Sequence, residues 1–242
     1  NQINVDSLIT DRASIDDYIS IYGNIDNPKS IASIFIYNNN PDLKNSIKIV
    51  DKSFDGKKGV IGIIGSGNFT KSTILPNLKK LSANISYIAS SEGLSSTTLA
   101  KKYQICNSTT DYKQILKDNN VNLVFITTRH NSHAKMVLEV MKSGKDVFVE
   151  KPLALKEQDL EKIIEDYNKM DVNLLVGFNR RFAPLSKKMK SVLGSSKIPV
   201  NIIATMNAGY ISSNSWVHNM EVGGGRILGE ACHYIDMCIF LS

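Results

Sequence analysis

The feature that most constrains the fold of this chain is an apolar run that ends in two glycines one residue apart. Residues 60–64 read Val-Ile-Gly-Ile-Ile, Gly65 and Gly67 follow, and a helical pattern begins at once. This order predicts a buried parallel strand that turns into a helix whose N-terminus faces a phosphate. Gly65 permits the tight turn, and Gly67 carries no Cβ that would hold a pyrophosphate away from the backbone N–H groups.

The surrounding sequence decides between two interpretations of this turn. The third position of the Gly-x-Gly-x-x-Gly pattern is Thr70, so the pattern alone fits an ordinary strand–turn–helix as well as a dinucleotide site. From residue 59 onward, however, strand and helix patterns alternate, which is typical of a parallel α/β sheet. We expect strands over 85–89, 121–126, 146–149 and 173–177, and helices over 96–103, 111–117, 132–143 and 155–170. Pro76 predicts a kink or irregularity in the first helix.

We expect four parts along the chain. Residues 1–40 form a unit of a strand or loop, a helix and a strand, and residues 41–57 are a polar linker with one short strand over 47–50. Residues 58–178 form a Rossmann domain with a doubly wound parallel sheet. Residues 179–242 begin an α+β domain with a large antiparallel sheet, and contain a helix over 184–193 and a strand over 200–206.

Composition argues against several classes of protein. The formal net charge of +6 comes mostly from scattered lysines, with no aromatic-interleaved basic stripe, so we expect solvated helix faces and no nucleic-acid partner. No run approaches the ~18 apolar residues of a membrane span. Cys106, Cys232 and Cys238 form no Cys-x-x-Cys pair, which favours reduced thiols, a cytoplasmic location and no metal site. The chain begins on Asn1 and ends inside an apolar helical pattern, so we expect a fragment of a longer protein.

Two further stretches carry a family resemblance. Glu150-Lys151-Pro152 stands at the end of the strand expected over 146–149, and residues 127–133 read Thr-Thr-Arg-His-Asn-Ser-His. With these blocks in order, residues 60–241 resemble the glucose–fructose oxidoreductase, inositol dehydrogenase and MocA-type family of NAD(P)-dependent oxidoreductases. The hallmark of that family is a Glu-Lys-Pro tripeptide at the end of a Rossmann-domain strand.

The resemblance implies a cofactor site for NAD or NADP. Its contacts would come from the glycine turn, the second strand end, the loop after the third strand and the tripeptide: Gly65, Gly67, Asn68, Phe69, Ser90, Thr127, Thr128, His133, Glu150 and Lys151. Neither a carboxylate nor an arginine stands at the expected ribose position near Ser90, and Glu92 comes two residues late. The choice between NAD and NADP therefore stays open.

The resemblance also implies the catalytic and substrate residues. Lys151 matches the lysine that reaches the reacting hydroxyl and the nicotinamide ribose, and His233 falls on the family histidine. The family aspartate position is Gly229, and the nearest carboxylate is Glu230, which either orients His233 or contacts substrate. We therefore expect Lys151, His233 and Glu230 to be catalytic. Substrate contacts are expected from Asn179, Arg180, Trp216 and His233.

The function expected from this resemblance is hydride transfer from a hydroxyl of a sugar, a nucleotide sugar or a cyclitol. A non-catalytic NAD(P)-binding regulator or scaffold is the alternative, because fold does not fix function. NAD-dependent bond cleavage through a transient ketone would use the same residues. The resemblance further implies a homo-oligomer.

Residues 1–40 carry a second, shorter resemblance. The order of Leu8-Ile9-Thr10, a helix and a final strand is similar to the C-terminal tail of zinc-type medium-chain alcohol dehydrogenases. This implies a fusion in which the oxidoreductase follows an alcohol dehydrogenase. The other interpretation is an N-terminal extension that packs on the next domain.

Overall fold

The computed structural model describes residues 4–24, 26–37, 44–54, 59–194 and 200–242. The chain divides into two compact units, Asn1–Lys44 and Asn45–Ser242. In the first unit, β1 (Ile9–Ser14), α1 (Tyr18–Gly23) and β2 (Ala32–Ile36) follow one another, and the two strands pair in parallel. The Ser14 hydroxyl accepts a hydrogen bond from the Asp16 N–H and begins the helical turn that leads into α1. The first element, expected as a strand or a loop, is a strand, and the expected helix and final strand are confirmed.

A seven-stranded sheet organises the described part of the second unit. Its strands are β3 (Ser46–Lys48), β4 (Ile61–Ile64), β5 (Ile85–Ala89), β6 (Asn107–Thr109), β7 (Leu123–Ile126), β8 (Asp146–Val149) and β9 (Leu174–Val176). Their order across the sheet is β3-β6-β5-β4-β7-β8-β9. All neighbours are parallel except β3 and β6. The order of β4 to β9 is that of the doubly wound Rossmann fold, and it reverses beside β4.

Helices cover both faces of this sheet. They are α2 (Leu75–Lys80), α3 (Leu94–Tyr103), α4 (Lys113–Lys117), α5 (His133–Lys142) and α6 (Glu157–Tyr167), and α7 (Pro184–Leu193) and α8 (Cys232–Leu241) follow the sheet. Side chains of β4 alternate between the two cores, since Ile63 packs with Leu75 and Ile64 packs with Val137. Within the described ranges, no helix has the length and apolar content needed to cross a bilayer.

Pro76 causes an irregularity in the first helix, as the sequence predicts. The turn Thr70–Ile74 is π-helical, and regular α2 begins only at Leu75. Proline lacks an N–H and its ring clashes with the preceding turn, so the backbone widens one turn ahead of it.

Two sequence expectations need correction. Asn45 begins the second unit, and the short strand expected in the linker 41–57 joins the sheet as β3, so residues 45–54 are not a free linker. Residues 41–43 and 55–57 lie outside the described residues. The strand expected over 200–206 is wrong, because no described strand lies beside this segment to complete a hydrogen-bond ladder. The antiparallel sheet expected for residues 179–242 stays a prediction.

Candidate active site

The carboxyl ends of five parallel strands form one edge at which most of the expected site residues lie. In register across the sheet, Ala89 pairs with Ile64, Ile64 with Ile126, Ile126 with Val149, and Val149 with Val176. The residues that follow these strand ends are therefore neighbours: Ser90, Gly65, Thr127, Glu150 and Gly177. In open α/β sheets, ligands bind outside this edge where the strand order reverses.

The glycine turn is shaped by close packing at one glycine and open space at the other. Gly65 has a φ of +113°, and a Cβ there would lie 2.7–2.8 Å from the Oγ1, C and O atoms of Thr127. Only glycine fits this conformation and this contact. A Cβ placed on Gly67 would have no neighbouring atom within 4 Å, so this side of the backbone faces free space. The turn thus leaves room for a ligand beside Gly67.

Thr70 occupies the third glycine position because its hydroxyl has a structural role. The side chain is fully buried, and its Oγ1 donates to the Gly65 carbonyl oxygen at 3.0 Å. The same Oγ1 lies 2.7 Å from Thr127 Oγ1. Thr70 therefore ties the glycine turn to the loop after β7, and the departure from the pattern preserves the turn. Asn68 is exposed and Phe69 is half-buried beside it.

A chain of hydroxyl groups lies at the end of β5, where the ribose-binding position is expected. Ser90 Oγ donates to Ser96 Oγ at 2.9 Å and accepts a bond from the Gly93 N–H at 3.2 Å. Ser66 Oγ, from the glycine turn, lies 2.5 Å from Ser95 Oγ on α3. Ser90 thus holds the turn into α3, and the site offers hydroxyl groups where many relatives of the fold carry a carboxylate.

Lys151 extends from the end of β8 toward the segment before α8. Its Nζ donates to the Gly229 carbonyl oxygen at 2.5 Å. The neighbouring Glu150 is mostly buried, and burial raises the pKa of its carboxyl group to about 7, although the Lys151 charge acts in the opposite direction. A Cβ at Gly177 would lie 2.7 Å from Glu150 Oε1, so glycine at the end of β9 makes room for this carboxyl group.

His233 is the second residue of α8, is half-buried and lies near the Lys151 charge. Its Nδ1 atom is buried and has no hydrogen-bond partner among the described residues. Burial, together with the nearby Lys151 and Arg180 charges, lowers the pKa of the imidazole to about 4. The ring is therefore neutral near pH 7. The edge of Phe178 contacts it, with ring centroids 6.2 Å apart.

The carboxylate that acts electrostatically on His233 is Asp236, and the catalytic role expected for Glu230 stays a prediction. Glu230 Oε2 accepts bonds from Arg226 Nη2 at 2.9 Å and Nε at 3.2 Å, with no bond to His233. Asp236 is the acidic residue that raises the His233 pKa, and its buried carboxylate takes both bonds of an ion pair with Arg181. The spacing of three residues between His233 and Asp236 is the sequence signal that could have indicated it.

His133, which we expected to contact a cofactor, is fully buried at the start of α5. Its Nδ1 lies 2.8 Å from the Pro152 carbonyl oxygen and its Nε2 lies 3.1 Å from that of Thr128. Burial lowers the pKa of its imidazole. The Thr128 side chain lies 2.6 Å from Ser132 Oγ. His133 thus lies behind the loop surface and joins two of the loops at this edge.

The expected substrate residues surround α8 and the loop after β7. Asn179 and Arg180 are exposed in the crossover after β9, and the Arg180 guanidinium lies 4.5 Å from the centre of the Tyr234 ring. Trp216 is 36% exposed and lies against His130, with ring centroids 4.9 Å apart. Arg129 lies 5.7 Å from the centre of the Trp216 ring. No group of three or more His, Cys, Asp or Glu side chains suited to a metal is found within the described residues.

These features define a dinucleotide-binding protein of the Rossmann class. The open space at Gly67, the positive-φ turn at Gly65 and the neutral His233 imidazole fit a bound nicotinamide dinucleotide with a polar reaction partner. Residues 60–178 match the family described as the Gfo/Idh/MocA oxidoreductase family with an NAD-binding Rossmann fold. This segment is therefore similar to the NAD-binding Rossmann domain of that oxidoreductase family, as the sequence motifs indicate.

Individual relatives agree with the family match. The chain is 30% identical over 183 residues to myo-inositol 2-dehydrogenase of Thermotoga maritima. The matched region covers 75% of this chain and 54% of that protein. It is 26% identical to levoglucosan dehydrogenase of Pseudarthrobacter phenanthrenivorans over 59% of this chain and 38% of that protein. A crystal structure of a probable dehydrogenase from Thermotoga maritima superposes with a TM-score of 0.59 at 26% identity, over 75% of this chain and 54% of that one. The chain thus spans about half the length of the first two curated relatives that it matches.

Proposed function

We propose that this protein is an NAD(P)-dependent dehydrogenase that oxidises a hydroxyl of a sugar, a nucleotide sugar or a cyclitol. The observation that carries the proposal is the buried, unpartnered Nδ1 of neutral His233 close to the Lys151 ammonium, at the cofactor edge of the sheet. A substrate hydroxyl beside this imidazole would give the neutral ring a polar partner. Relatives that act on myo-inositol and levoglucosan support a polyhydroxylated ring as the substrate class.

In this mechanism the protein residues position the hydroxyl and move its proton. The half-buried His233 imidazole accepts the hydroxyl proton as the carbon–hydrogen bond breaks, and the hydroxyl carbon becomes a carbonyl carbon. Lys151 Nζ exchanges its bond to the Gly229 carbonyl for one to the reacting oxygen and stabilises the developing negative charge. When bound, the nicotinamide supplies the acceptor for the hydride. Asp236 and Arg181 hold α8 so that His233 faces Lys151.

The test is a redox reaction on the bound cofactor of the full-length protein. NADH or NADPH is bound, its fluorescence is recorded, and keto-sugars and ketocyclitols are added one at a time. The proposal predicts that at least one carbonyl compound oxidises the bound cofactor, with loss of the fluorescence. Tight cofactor binding with no oxidation by any member of the panel would contradict it.

A non-catalytic NAD(P)-binding regulator is the second candidate, and two observations favour it. The family aspartate is replaced by Gly229, and Glu230 is already paired with Arg226. The same fluorescence experiment separates the two functions, since a regulator would bind the cofactor and leave it reduced.

Three finer points accompany the proposal. We propose that the hydroxyl groups of Ser66 and Ser95 lie beside the adenosine ribose, where they fit either NAD or NADP. The parallel β1-α1-β2 unit supports the proposed alcohol-dehydrogenase-like tail over residues 1–40. A homo-oligomer of the whole protein is proposed from the family resemblance, and light scattering of the full-length protein would test it.

A further inference from the structure

His133 joins two loops that carry site residues. It is the first residue of α5, directly after the loop of β7, and it is completely buried. Its Nδ1 lies 2.8 Å from the carbonyl oxygen of Pro152, the residue that follows Lys151. The loop after β8 is thereby held to the start of a helix that belongs to the other loop. The ring has two further backbone partners, the Thr128 carbonyl oxygen in its own loop, 3.1 Å from Nε2, and the backbone of Glu150 at the end of β8.

The chemistry of these contacts limits where the ring proton lies. The partners are backbone carbonyl oxygens, which only accept, and a neutral imidazole has one N–H to donate. The contact of Nδ1 with Pro152 is shorter than that of Nε2 with Thr128, which favours an N–H on Nδ1. A backbone carbonyl that is hydrogen-bonded to a buried donor cannot rotate freely. The bond to the Pro152 carbonyl therefore also restricts the backbone of the adjoining Lys151.

We propose that His133 is a positioning residue that fixes Lys151, by donating its Nδ1–H to the Pro152 carbonyl and thereby anchoring the Glu150-Lys151-Pro152 loop. This assigns His133 a role behind the site, in place of direct contact with the cofactor. The inference rests on the proposed catalytic role of Lys151 for its functional consequence. Its structural part is independent of any turnover.

Two substitutions separate the Pro152 bond from the Thr128 bond. In His133→Asn, the amide nitrogen occupies the place of Nδ1 and can still donate to Pro152. In His133→Gln, the amide nitrogen reaches the place of Nε2, so it donates to Thr128 and leaves Pro152 without a donor. Asparagine should therefore rescue the position of Lys151, and glutamine should not.

The position of Lys151 can be followed by NMR of ¹⁵N-labelled lysine ammonium groups in the full-length protein. Lys151, bonded to the Gly229 carbonyl, and Lys145, bonded to the carbonyls of Asp118 and Val121, should both give slowly exchanging signals, and Lys151→Met assigns the first. We expect His133→Gln to broaden or shift the Lys151 signal and to leave Lys145 unchanged, whereas His133→Asn keeps both. An unchanged Lys151 signal in His133→Gln, or equal loss in both variants, would overturn the proposal.

Two further measurements keep the proposal testable. If His133→Gln does not fold, ¹⁵N spectra of the wild-type ring decide: a proton on Nδ1 supports the proposal, and a proton on Nε2 alone overturns it. In the active protein, we expect His133→Gln to lower kcat by about tenfold or more while the Kd of NADH stays within about twofold, because a displaced catalytic group loses its alignment. If no substrate is ever found, the proposed function fails, and the NMR result still decides the role of His133.

Discussion

Lys151 Nζ and the carbonyl oxygen of Gly229 lie 2.5 Å apart, and this hydrogen bond joins residues that are 78 positions apart in the chain. It connects the end of β8 to the turn before α8. Residue 229 is a glycine and offers no carboxylate to the Lys151 ammonium. The ammonium donates instead to the Gly229 backbone carbonyl, which does not titrate. A lysine held in this way is available for a stronger acceptor, such as a developing alkoxide.

The space around Gly229 leads to the first prediction. A Cβ at Gly229 would meet His130 Cε1 at 3.5 Å and Val217 Cγ1 at 3.7 Å, which are ordinary contacts. Gly229→Ala should therefore change the free energy of unfolding by less than about 1 kcal/mol, since its helical backbone favours alanine. Gly223→Ala is the contrasting variant, because its Cβ would lie 2.6 Å from the Trp216 carbonyl oxygen. Urea unfolding of both variants checks this, and equal losses of stability would contradict it.

The two glycines of the turn should respond differently to alanine. At Gly65, the positive φ and the contact with Thr127 predict a loss of about 2 kcal/mol or more in unfolding free energy. At Gly67, the open space predicts nearly unchanged stability and a weaker affinity for NADH, because the new methyl group points toward the ligand. Thermal unfolding and fluorescence titration with NADH measure the two effects. Full-strength NADH binding by Gly67→Ala would show that the pyrophosphate does not lie there.

The buried carboxyl group of Glu150 predicts a specific pH dependence of stability. Its pKa is raised from 4.5 to about 7, so between these values the folded protein keeps a proton that the unfolded chain has released. Its contribution to stability is therefore complete below about pH 4.5 and is lost as the pH rises to about 7. Relative to wild type, Glu150→Gln should gain about 3 kcal/mol of stability over that interval.

Urea unfolding of wild type and Glu150→Gln from pH 4 to 8 tests this sign. His233 provides the opposite case, since its pKa is lowered from 6.5 to about 4 and its contribution grows as the pH rises between those values. The stability difference between wild type and His233→Asn should therefore change in the other direction. A flat difference for Glu150→Gln across the interval would mean that the carboxyl group is not buried as described.

Strands and helices of the Rossmann unit could be predicted because their apolar spacing is set locally. β5 and β8 coincide with the expected residues, and α7 begins at Pro184 and ends at Leu193 as expected. Strand formation over 200–206 could not be judged in the same way, since an apolar run becomes a strand only if a neighbouring strand accepts its hydrogen bonds. The presence of a neighbouring strand depends on the tertiary structure, which the local spacing of apolar residues does not predict.

The site was predictable where it depends on strand ends and less so where it depends on side-chain pairing. The position of Lys151 follows from the end of β8. Glu230 and Asp236 both stand three residues from His233, so the sequence could not choose between them. The arginine partner of each carboxylate distinguishes the two residues. Arg226 forms an ion pair with Glu230 within one helical turn, whereas Arg181 forms an ion pair with Asp236 from a segment 55 residues away. Likewise, burial of His133 depends on the packing of two loops.

The measurement that tests the central claim most directly compares two lysine variants of the full-length protein. With a substrate found by the fluorescence screen, Lys151→Met should lower kcat/KM by about 10³-fold, because a charged donor to the reacting oxygen is lost. Its Kd for NADH should stay within a few-fold of wild type. Lys156→Met removes an exposed lysine five residues away, whose Nζ lies 3.8 Å from Glu221, and should keep wild-type activity. Wild-type turnover by Lys151→Met would contradict the proposed dehydrogenase mechanism.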